Sequence, residues 1–180
     1  MSLFFLAGVH GVGKTTIGSR IAQKFNYSFF ASSELIKQEL DIEYASDKKI
    51  DKAEYTQDAL LMQLKEIKKN NCKIILDGHF CLVDKSNNIY RISEHVFEKM
   101  GIDQIILLKA SPKVLMNRNL LKNGVQETIK FYECFQKEEE EYAKEFASRH
   151  NVPISVISEC DIDTIERIVR RNAKSNNTTD

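Results

Sequence analysis

Residues 1–25, MSLFFLAGVHGVGKTTIGSRIAQKF, constrain the fold of this chain more than any other stretch. The run SLFFLAGV (2–9) is short, almost continuously apolar and stopped by glycine, which is the pattern of a strand buried on both faces. Residues 14–25 place Ile17, Ile21, Ala22 and Phe25 on one helical face. A doubly buried strand that turns through glycines into an amphipathic helix is the opening of a parallel α/β sheet.

The rest of the chain repeats that alternation. Strands are expected at 27–32, 73–78, 104–110 and 152–159. Helices are expected at 32–41, 52–69, 90–100, 112–122, 126–149 and 163–173, with Ser32 and Ser33 as N-cap candidates for the first of these. The expectation is a three-layer α/β fold, a five-stranded parallel sheet with helices on both faces. Ligands in such sheets bind at the carboxyl ends of the strands, so the glycine turn, Asp77 and the segment after QIILL border one crevice.

The turn itself carries chemistry. Gly8, Gly13, Lys14 and Thr15 satisfy G-x-x-x-x-G-K-[ST], with His10, Gly11 and Val12 inside the turn and Thr16 after it. Glycines let successive backbone N–H groups point inward around a phosphate. Lys14 reaches the terminal phosphates, the Thr15 hydroxyl is suited to Mg²⁺, and the helix N-terminus adds positive potential. ATP with Mg²⁺ is the expected ligand of Gly8 to Thr16, and the expected three-layer sheet is that of a P-loop NTPase fold.

Composition narrows the partners. Lys plus Arg equals Asp plus Glu, at 26 each, so no net field draws the chain to nucleic acid or an anionic membrane. The apolar runs are far shorter than the ~20 residues of a membrane span, and the start lacks the pattern of a signal peptide. Cys72, Cys81, Cys134 and Cys160 are scattered without a C-x-x-C pair, which suits reduced thiols in a cytoplasmic protein, monomeric or a small homo-oligomer.

On these residues the chain resembles the P-loop nucleoside monophosphate kinases, in particular adenylate kinases of the archaeal type. The loop GVHGVGKTT carries most of the likeness, and ASSELIKQ (31–38), KIILDGHF (73–80) and LLKASPKVLMNR (107–118) follow in the family order. The resemblance implies phosphoryl transfer from Mg-ATP to a nucleoside monophosphate. It implies Lys14, Asp77 and Arg118 as catalytic residues, with Thr15 and Asp77 near the metal and Arg118 beside the ATP phosphates. It also implies an acceptor side built from Ser32, Glu34, Lys37 and His79, with Arg91 or Lys37 as the replacement for the arginine that bacterial-type enzymes carry after the Asp-Gly turn and that DGHFCL lacks. The layout expected is a single domain over 1–174, with an acceptor-binding insert about 32–70, a short lid about 119–130 and a frayed tail at 175–180.

Read alone, Asp77 also suits a turn or N-cap, and Arg118 a surface ion pair. For His10 the backbone matters more than the ring, and His79 suits a hydrogen bond that fixes a turn. The presumed lid segment carries Arg118 and Lys122 where the family has an arginine-rich run, and continues into KEEEEYAKE, expected to be a solvated helix face. Two alternatives therefore stand beside the leading reading: a nucleotide-binding regulatory protein with weak ATPase activity, and a kinase for a non-nucleotide metabolite.

Overall fold

The apolar run that opens the chain becomes β1 (Ser2–Ala7), all six residues of which are buried. The computed structural model describes residues 2–40, 52–84, 86–123, 127–158 and 161–175. Strand β1 lies mid-sheet, parallel to β3 (Lys73–Asp77) on one side and β6 (Gln104–Lys109) on the other. Strand β2 (Ser28–Ala31) adds to β3 and β7 (Ile154–Ser158) to β6, giving the all-parallel order β2-β3-β1-β6-β7. The expected five-stranded parallel sheet is the observed one.

Alternation along β1 divides the core between two helical layers. Phe4 and Leu6 face Ile17 and Ile21 of α1 (Lys14–Phe25) together with Ile165 and Val169 of α7 (Ile162–Ser175). On the other face, Phe5 meets Phe80 edge-on and Phe97 of α4 (Glu94–Met100). Phe146 of α6 (Ile129–His150) closes that cluster against Phe80 and Phe97. Helices α2 (Ser32–Leu40) and α3 (Lys52–Asn70) pack on one another beyond β2, and α5 (Pro112–Asn123) precedes α6.

One expectation changes. Strands β4 (Cys81–Val83) and β5 (Ile89–Arg91) pair as an antiparallel hairpin, so the helix expected from residue 90 starts at Glu94. The turn explains it: Asp84 Oδ1 accepts from the N–H groups of Ser86 and Asn88 at 2.7 and 2.9 Å, and Asn87 takes a left-handed φ of 61°. Residues 41–51 of the expected insert, 124–126 of the expected lid and 176–180 of the tail lie outside the described residues.

Candidate active site

Register places the site. Leu6 lies opposite Asp77 and Ala7 opposite Leu107, so β1, β3 and β6 end at one edge of the sheet. The chain leaves β1 through Gly8 at φ 138°, where an added Cβ would stand 2.5 Å from the Leu108 carbonyl oxygen. Only glycine fits there, and its turn starts the loop that ends at α1.

Lys14, the first residue of α1, is 6% exposed and folds back over its own loop. Its Nζ donates to the carbonyl oxygens of Gly8 at 2.6 Å and Val9 at 3.3 Å, and stands 3.7 Å from Asp77 Oδ1. Thr15 Oγ1 donates to Asp77 Oδ2 at 2.9 Å. Burial raises the Asp77 carboxyl above the usual carboxylate range, against the opposing pull of Lys14 and Thr15. Two oxygen donors, Thr15 Oγ1 and Asp77, thus lie beside a buried ammonium. That donor set is hard and small, and it fits Mg²⁺.

The turn after β3 forms the other wall. Gly78 donates its N–H to the Leu6 carbonyl at 3.1 Å. A Cβ on Gly78 would lie 2.6 Å from the Phe5 ring and 3.1 Å from Ser32 Oγ, so glycine lets this turn approach both β1 and the start of α2. The His79 ring lies 4.1 Å, centroid to centroid, from that of His10. Burial first, then the Lys14 and His10 charges, hold His79 well below the usual histidine pKa, so its imidazole is neutral. Ser32 Oγ and His79 Nδ1 are both buried without a hydrogen-bond partner.

Helix α5 braces the loop from outside. Arg118 Nη1 donates to the carbonyl oxygens of Gly11 and Val12 at 3.1 and 3.3 Å, and Asn119 Nδ2 to that of His10 at 3.1 Å. Thr16 is exposed on the first turn of α1 and Val12 is buried beneath the loop. Glu34 and Lys37 are exposed on α2, with Glu34 near enough to help raise Asp77. Arg91 lies apart from this group. It sits on β5, bonded to Glu138 at 2.6 Å and Glu145 at 2.7 Å and stacked over the Tyr142 ring.

One residue of the edge was not foreseen. Glu139 lies inside KEEEEYAKE, expected to be solvated, yet it is 1% exposed. It accepts from the N–H groups of Gly8 at 3.2 Å, Phe80 at 2.9 Å and Cys81 at 2.6 Å. Burial pushes its carboxyl up to about 7, although those bonds and Lys14 pull the other way. The available signal was helical spacing: Glu139 shares a face with Tyr132, Phe135, Gln136, Tyr142, Ala143 and Phe146, all buried.

A family model described as an AAA domain matches residues 7–133, from the end of β1 into α6. The chain belongs to the AAA domain family. A bifunctional shikimate kinase/3-dehydroquinate synthase of Thermotoga maritima is 28% identical over 180 residues, covering 91% of this chain and 34% of that protein. The AAA domain chain therefore spans about a third of the length of that relative. Among solved structures, a shikimate kinase from Acinetobacter baumannii in complex with shikimate aligns at a TM-score of 0.59. The match has 14% identity and covers 99% of this chain and 96% of that one. A gluconokinase from Sinorhizobium meliloti aligns at a TM-score of 0.55 and 16% identity, covering 99% and 98%. The AAA domain here thus has the fold of P-loop kinases. Among the described residues, no helix is long and apolar enough to cross a membrane.

Proposed function

We propose that the protein is a small-molecule kinase that transfers the γ-phosphoryl group of Mg-ATP to an acceptor seated between the start of α2 and the Gly78–His79 turn. One observation carries this reading: Ser32 Oγ and His79 Nδ1, buried and unpartnered, adjoin the edge where Lys14, Thr15 and Asp77 gather. Buried polar atoms without partners are costly in a finished fold, and here they suit the polar groups of a bound acceptor.

In this reading the Gly8–Thr16 loop binds the triphosphate through its N–H groups, and Lys14 leaves its own carbonyls to neutralise charge on the moving phosphoryl group. Thr15 and Asp77 would hold Mg²⁺, which would supply positive charge against the charge that builds up on the phosphates during transfer. Arg118 turns from the loop carbonyls toward the phosphates. Neutral His79 accepts or donates a hydrogen bond without adding a competing cation beside Lys14. Residues about 119–130 serve as the lid and about 32–70 as the acceptor insert of one domain.

The nucleoside monophosphate acceptor rests on the adenylate kinase-like order of motifs. A hydroxylated, non-nucleotide acceptor is the second reading, and a specific observation favours it. The two unpartnered atoms are neutral, and Arg91, expected to meet acceptor phosphate, is bound to Glu138 and Glu145. The names of the shikimate and gluconate kinase relatives point the same way.

The test is acceptor-dependent ADP release with Mg-ATP across nucleoside monophosphates, shikimate, gluconate and simple polyols. Stimulation by one acceptor class supports the kinase reading and names the class. A slow rate that no acceptor raises would leave the regulatory ATPase in its place.

A further inference from the structure

Helix α6 reaches three strand ends with two side chains. Gln136 pairs with both backbone groups of Ala110, just after β6, accepting from its N–H at 3.0 Å and donating to its carbonyl at 2.9 Å. Glu139, one turn on and on the same face, binds the first residue after β1 and the turn after β3. Its Oε1 accepts from Gly8 and Phe80, and its Oε2 from Phe80 at 3.0 Å and Cys81 at 2.6 Å. The groups facing Glu139 that carry or can carry charge are Lys14 of α1 and the Cys81 thiol of β4. The thiol is pushed up to about 12, by burial first and then by Glu139, so it stays protonated and is a further donor to the carboxylate.

We propose that Glu139 is a positioning residue for phosphoryl transfer: its carboxylate ties the phosphate loop at Gly8 to the turn at Phe80 and Cys81, and so fixes the spacing of the donor and acceptor halves. The inference rests on the kinase reading above. Its chemistry is specific to a carboxylate. Three converging N–H groups and a thiol need an acceptor-only partner, and an ionised carboxylate has no hydrogen to turn against them. A glutamine of the same shape presents NH₂ to at least one of these donors. A protonated acid likewise turns one of its acceptor sites into a donor.

The experiment measures Mg-ATP affinity by calorimetry from pH 5.5 to 8.5 in wild type, Glu139→Gln and Glu139→Asp, with Glu141→Gln, an exposed neighbour, as control. In parallel, ¹H–¹⁵N spectra of the wild type follow the Gly8, Phe80 and Cys81 amides over the same range. The three amides are expected to shift with one midpoint near neutral pH, and wild-type affinity to change at that midpoint. Glu139→Gln is expected to melt cooperatively yet bind Mg-ATP roughly tenfold more weakly, with a flat pH profile. Glu139→Asp keeps the pH dependence with reduced affinity, and Glu141→Gln matches wild type. Wild-type affinity and pH profile in Glu139→Gln would overturn the proposal. So would amides without a common midpoint, a result that decides even if the variants do not fold. Turnover that no acceptor raises would refute the kinase reading alone, since affinity and amide shifts need no acceptor.

Discussion

The donor and acceptor halves of this site share one sheet edge but are put together differently. The proposed donor half is a single segment, Gly8 to Thr16, whose backbone would supply the phosphate-binding groups and whose side chains sit on the first turn of α1. The proposed acceptor half is an assembly of the first residue of α2, the turn after β3 and, through Glu139, the middle of α6. The cradle is contiguous in sequence, and Arg118, Asn119 and Glu139 brace it from α5 and α6. An assembled wall depends on packing among elements far apart in sequence.

That contrast can be broken by mutation. Lys14→Ala removes the buried ammonium of the cradle, and turnover should fall by roughly 10³-fold with the fold intact by circular dichroism. Asp77→Asn should spare nucleotide affinity yet lower Mg²⁺-dependent turnover by about 10²-fold, read from kcat at saturating Mg²⁺. Ser32→Ala combined with His79→Ala should raise the acceptor KM by about tenfold while leaving the ATP KM alone. Equal effects on both substrates would erase the proposed division into halves.

Two weaker effects sharpen the comparison through stability. The Glu139 carboxyl sits at about 7 in the fold, above the 4.5 of a free glutamate. Between those values the native state holds a proton that the unfolded chain has released. The contribution of Glu139 to stability therefore declines as pH rises through that window and levels off above it. The advantage of wild type over Glu139→Gln in urea midpoint should be larger at pH 5 than at pH 7.5, a difference in which the opposite pH dependence of His79, common to both proteins, cancels. Smallest is Arg91→Ala: its ion pairs are more than one-third exposed, so the loss should stay within ~1 kcal/mol with turnover unchanged.

How much the sequence disclosed follows the same division. The order of strands and the loop were legible because each is a local pattern: an apolar run, a glycine turn, a helical face. The β4–β5 hairpin was missed because its two three-residue strands are too short for alternation to stand out, and only the Asp84 turn and the left-handed Asn87 define it. Glu139 was missed because four consecutive glutamates read as solvent-facing, although helical rotation sends one of the four into the core. Arg91 was expected beside the acceptor in place of the arginine missing from DGHFCL, but the hairpin turns it toward α6.

The most direct test of transfer between the two halves is the fate of the γ-phosphoryl group. Purified protein is incubated with γ-labelled ATP, Mg²⁺ and the acceptor that most stimulates ADP release, and the label is then located. Label in a phosphorylated acceptor, stoichiometric with ADP and absent in Lys14→Ala, is the expected result. Label only in inorganic phosphate, at a rate independent of every acceptor tried, would contradict it.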